Sequence, residues 1–221
     1  MGKRRKTKLA IDVAMAMVLV TLMATAIVQD VPHEWLGVAM FVLVTAHVVL
    51  NRRWLAAVPR MRRDTLNLLQ VFVLAALVVC VVGMMASSLV ISRHAFGFLP
   101  ALPGSSLARR VHMMCSYWMF ILTFAHAGLH ARFPKCTKPW CKWATRITCI
   151  VASCCGVASF VQLGLWGYLT GQVQFALVDS GTPFAFSVAC YASVAALVTA
   201  VFHYVREGLA TAKRHGKAHE R

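Results

Sequence analysis

The sequence predicts an all-α, polytopic membrane bundle of six transmembrane helices, and three observations lead there. Of the 221 residues, 59% are hydrophobic, more apolar side chain than the core of a water-soluble domain of this size can hold. Those residues gather into runs near the length of about twenty that crosses a bilayer. The basic residues gather between the runs, and on alternate sides.

The expected spans are 9–28, 33–50, 66–91, 111–131, 145–169 and 183–205. The first follows the basic stretch "MGKRRKTK". It is long for the apolar part of a secretory signal and carries Asp12, so a retained helix is preferred over a leader cleaved after "ATA" at 24–26. The second opens after "QDVP" and closes at "NRRW". Charged or turn-forming stretches, "NRRWLAAVPRMRRD" and "LPALPGSSLARR", bound the third and part it from the fourth. The loops over about 92–110 and 168–182 are too short to form a catalytic unit of their own.

With the amino terminus placed in the cytoplasm, all of the 23 basic residues except Arg93, Arg109 and Arg110 fall on the inner side, as the positive-inside rule requires. Both termini are then cytoplasmic. The chain divides into a basic N-terminus (1–8), a transmembrane domain (9–205) and a basic tail (206–221). The net charge of +16 reports topology and contact with anionic lipid rather than nucleic acid.

Ionisable residues inside a membrane are functional candidates, because an imidazole in hydrocarbon needs partners for its nitrogens. "HEWLGVAMFVLVTAH" (33–47) and "HMMCSYWMFILTFAH" (112–126) each begin and end with histidine at the same separation. That separation is about 40° short of four helical turns and rises about 21 Å. His33 and His47 therefore share one helix face, as do His112 and His126. Both helices run from outside to inside, so His33 is level with His112 and His47 with His126.

Two imidazoles facing each other suit an iron porphyrin with two axial histidines. There is no Cys-x-x-Cys-His, so the haem would be of b type. The reading is two haems: an outer one on His33 and His112 and an inner one on His47 and His126. His130, one turn beyond His126, is the competing inner ligand, a propionate partner or a quinone contact. Gly37 and Gly128 would admit a porphyrin or serve helix packing. Arg52, Arg53, Arg109 and Arg110 stand where propionates would emerge, or simply anchor the helix ends. Asp12, His130 and His203 could handle quinone protons near the inner surface. His94 and His203 are otherwise expected to be interfacial, and His215 and His219 to lie in a mobile tail.

Cys80, Cys115, Cys149, Cys154, Cys155 and Cys190 are expected to be apolar fillers. Cys136 and Cys141 lack the spacing of a usual metal site. The competing class is a non-redox transporter or anchor subunit whose histidines handle protons. A nearer rival is a cytochrome with one haem on the inner pair.

The segments "HEWLGVAMFVLVTAHVVLNRRW", "SSLVISRHAFGFLP" and "RRVHMMCSYWMFILTFAHAGLH" resemble the flavinylation-associated cytochromes, small cytochrome-b-like membrane proteins found with FMN-binding proteins. The likeness covers roughly residues 9–205. Its recurring positions fall on His33, His47, Asn51, Trp54, His112, His126 and His130. The resemblance implies an electron-transfer subunit of a quinone-linked oxidoreductase in the cytoplasmic membrane of a prokaryote. Electrons would pass between the quinone pool and an extracytoplasmic, flavin-bearing partner protein. "DSGTPF" at 179–184 is too weak a likeness to serve as a flavin-attachment site in this chain.

Overall fold

The structure, a computed structural model, describes residues 2–25, 30–98, 104–131, 139–173 and 181–219. Among these residues the regular elements are all helical: α1 (Lys3–Thr25), α2 (Asp30–Ala57), α3 (Thr65–Ile91), α4 (Ser105–His130), α5 (Pro139–Gln162), α6 (Leu165–Leu169) and α7 (Phe184–His219). A single 3-10 turn, Val58–Arg60, carries Pro59 at its start and ends the α2 run, since proline cannot continue a helix as a backbone donor. Asp64 then caps α3, its side chain accepting the Asn67 backbone N–H at 2.9 Å.

Four helices, α1, α2, α3 and α7, are long and apolar enough to cross a membrane. The protein is an all-helical membrane protein. The other two expected spans read differently. The 26 residues of α4 would reach across, but its histidines, arginines and hydroxyl groups dilute its apolar character. The reason is its position: α4 packs on α3, α6 and α7, and Phe120, Ala125 and Leu129 are fully enclosed. A helix surrounded by protein meets little lipid and can carry polar groups that have partners.

The fifth expected run, 145–169, is not one helix. The chain turns at Leu163–Gly164, where Gly164 has φ 59°, a left-handed conformation that suits glycine. The break lets the short α6 turn inward. Leu165 and Tyr168 become buried, and Tyr168 stacks on Tyr117 of α4 with ring centres 4.2 Å apart. At the other end of the sequence, residues 206–219 continue α7 as helix. Near its end Lys213 pairs with Asp64, tying α7 to the start of α3.

Glycine sets how closely the central helices approach. A Cβ on Gly83 would meet Cys115 Sγ at 2.7 Å, one on Gly128 the Thr199 carbonyl oxygen at 2.5 Å, and one on Gly156 the Leu197 Cβ at 2.5 Å. These contacts join α3 to α4, α4 to α7 and α5 to α7, so Gly128 serves helix packing rather than porphyrin clearance. Gly37 on α2 differs, with nothing within 4 Å. In keeping with that, α2 packs broadly on α1 but has no sustained backbone contact with α3 or α4 among the described residues. It reaches α4 through side chains such as His33 and Trp54.

Candidate functional site

Two clusters of histidine bridge the space between α2 and α4. The first joins the start of α2 to the first turns of α4. His33 and His112 bring their ring centres to 6.3 Å, with planes inclined at 61°. Two imidazoles binding one metal ion from opposite sides, each nitrogen about 2 Å from it, have ring centres roughly 6 Å apart. The His112 ring is oriented from behind by α3. Its Nδ1 lies 3.4 Å from both Ser87 Oγ and Ser88 Oγ. The Ser87 hydroxyl donates to the Gly83 carbonyl at 2.7 Å, which leaves its oxygen to accept from the ring. That arrangement keeps the proton on Nδ1 and the lone pair on Nε2, the state a metal-binding histidine needs.

Beside His33, Glu34 fastens the neighbouring loop. Its carboxylate accepts the backbone N–H groups of Arg93, His94 and Ala95 at 2.8–2.9 Å and the Ser92 hydroxyl at 2.7 Å. Ser92 Oγ in turn accepts the Phe96 N–H at 3.1 Å. One side chain of α2 thus satisfies the backbone N–H donors of the loop that follows α3. His94 is exposed and takes part through its backbone.

The second cluster stands at the basic end, where α1 begins and α2 ends. Asp12 Oδ1 and His47 Nδ1 are 2.7 Å apart. The carboxylate therefore orients the His47 ring through Nδ1, and Asn51 Nδ2 stands 3.4 Å from its Nε2. Asn51 donates to the His47 carbonyl at 2.9 Å and accepts from Lys8 Nζ at 2.7 Å. Across the gap, His126 and His130 have ring centres 4.6 Å apart. Trp54 of α2 leans edge-on against both, at 6.5 Å and 5.2 Å. His47 is within electrostatic range of the two α4 rings.

His126 and His130 differ in one telling respect. The Nδ1 of His126 is buried with no hydrogen-bond partner among the described residues, whereas His130 is exposed. An unpaired buried nitrogen costs about 1–3 kcal/mol.

The other expected residues lie elsewhere. Arg52 and Arg109 are exposed at opposite ends of the protein and join neither cluster among the described residues. His203 sits on α7 with its ring beside Tyr204. Cys80 and Cys190 are buried as fillers, but Cys154 and Cys155 are exposed on α5. Cys136 lies outside the described residues, as do the side chain of Cys141 and residues 179–180 of "DSGTPF". No group of three or more histidine, cysteine or acidic residues is arranged to hold a metal ion among the described residues, so any metal here would rest on paired ligands.

Sequence reasoning missed Glu34, Ser87 and Ser88, and noticed Asp12 without its partner. A carboxylate inside an apolar run was the available signal for Glu34 and Asp12; the serines gave none. The fold and the paired imidazoles define the class as an all-helical membrane protein with two histidine clusters between facing helices. No family model, curated protein or solved structure matches the chain.

Proposed function

We propose that the chain is a six-helix membrane cytochrome in which His33 with His112, and His47 with His126, each hold one b-type haem. In this reading both termini are cytoplasmic. The chain passes electrons between membrane quinone and a flavin-bearing extracytoplasmic partner, as the resemblance to the flavinylation-associated cytochromes implies. The observation that carries the proposal is the His33–His112 pair, 6.3 Å apart across two helices whose backbones stand off from one another.

The residues present fit such a group. Neutral imidazoles are common axial ligands of haem iron. His112 and His47 already have their Nδ1 atoms engaged, which leaves Nε2 to a ligand. Gly37, one turn below His33, has open surroundings. When bound, haem supplies reversible one-electron chemistry. The chain's own part is to hold the rings, exclude water and set the charge around the ligands. Asp12 and Ser87 do this by orienting the ligand rings.

Visible spectra of the purified protein, oxidised and then reduced with dithionite, test the reading. Two haems per polypeptide are expected in the pyridine haemochrome assay, with His47→Ala and His112→Ala each losing a different one. A protein without haem bands would refute it. A proton-handling membrane protein is the second reading, favoured by the Asp12–His47 pair, and that same spectrum decides between them.

A further inference from the structure

At the basic end the start of α1 and the end of α2 do not close on one another. They leave a cavity of about 420 Å³ whose lining includes Arg4, Arg5, Lys8, Arg53, Asn51 and Trp54. Lys8 is pinned at its floor by the 2.7 Å bond to Asn51, and Trp54 forms an apolar wall. Four cationic side chains converge here, and no carboxylate is among the lining residues. The acid one turn deeper, Asp12, is held by His47 instead.

Like charges gathered in a concave site repel one another and focus a positive potential. The first turn of α1 adds to it, since the amino end of a long helix carries about half a positive charge. The volume falls within the range of roughly 300–1,000 Å³ typical of small-ligand sites. Cations around the mouth and an indole on the wall, at the edge of the apolar spans, match an anionic group carried on an apolar body.

We propose that this cavity binds a phosphate ester, such as the headgroup of an anionic phospholipid, through Arg4, Arg5 and Arg53, with Trp54 packing on the attached chain. The proposal does not require the haem reading. The two adjoin at Trp54, which also leans on His126 and His130, at Arg53, and at Lys8 and Asn51 beside the segment that holds His47.

The test uses the full chain in neutral detergent, with bound lipid read by native mass spectrometry. Phosphatidylglycerol should be retained in preference to phosphatidylcholine. Each basic residue at a membrane surface contributes about fivefold in affinity, so Arg5→Gln combined with Arg53→Gln should weaken retention by roughly 25-fold. Arg62→Gln with Arg63→Gln removes equal charge from the same end but outside the cavity, and should change it by less than about twofold. Arg5→Lys with Arg53→Lys keeps the charge and should restore most of the binding, which separates loss of the site from loss of the fold. Thermal unfolding with inorganic phosphate distinguishes the sources: stabilisation by phosphate assigns a free anion, and stabilisation by phosphatidylglycerol alone assigns the lipid. Equal loss in the two glutamine variants, or no response to either ligand, would overturn the proposal.

Discussion

Replacing Asp12 by asparagine tests the link between carboxylate and ligand most directly. The substitution preserves size and an acceptor oxygen, so it removes charge and little else. A hydrogen bond to a charged group contributes about 1.5–3 kcal/mol, and roughly half of that is lost when the acceptor becomes neutral. The His47 and Asp12 side chains are 30% and 49% exposed at the protein's edge, which places the loss near the lower limit, about 1 kcal/mol. If His47 ligates the proposed inner haem, the carboxylate makes the imidazole more basic and favours the more positively charged iron, so its removal should raise the potential of that haem. For one electron, a tenfold change corresponds to about 59 mV, so about 1 kcal/mol becomes a rise of roughly 40 mV. A redox titration followed by visible absorption measures it, with the outer haem as internal reference. A shift below about 10 mV, or one downward, would show that Asp12 does not act on the iron through His47.

Three further outcomes are expected. Glu34→Ala should free the loop after α3, costing about 1–3 kcal/mol and speeding amide hydrogen exchange at Arg93, His94 and Ala95; unchanged protection there would contradict the clamp. Gly128→Ala should lower the thermal midpoint through a cost of about 1–3 kcal/mol, since the new methyl would meet backbone, while Gly37→Ala in its open surroundings should leave the unloaded protein unaffected; equal effects would contradict the packing scheme. At Asp64, the contact with Lys213 and then the Asn67 N–H hold the carboxyl below the usual carboxylate range. A depressed pKa in the fold gives stability that is present above the unfolded value and lost on acidification, so the α3–α7 tie should weaken below about pH 4. Asp64→Asn should remove that part of the acid sensitivity in a pH series of melting curves.

The four long apolar helices were legible because hydrocarbon length and charge asymmetry are properties of single segments. The turn at Gly164 was not, because what ends α5 is the fit of Leu165 and Tyr168 against α4, a contact between distant parts of the chain. The same division runs through the candidate site. Spacing placed His33 and His47 on one face and His112 and His126 on another, and the structure brings His33 to His112. Spacing could not say which way each helix is rotated against its neighbours. That rotation decides that Asp12 meets His47, that Ser87 and Ser88 stand behind His112, and that Gly128 faces α7 instead of open space.

The loose seating of α2 bears on assembly. Its broad partner is α1, and α1 is in turn fastened to α7, so the α1–α2 pair resembles a door whose post is fixed while its leaf meets the frame through side chains such as the paired rings and one carboxylate latch. A flat guest could be admitted by swinging that leaf aside, without parting the glycine-tightened seams of α3, α4, α5 and α7. Maturation would then need the inner body to form first and the leaf to close last.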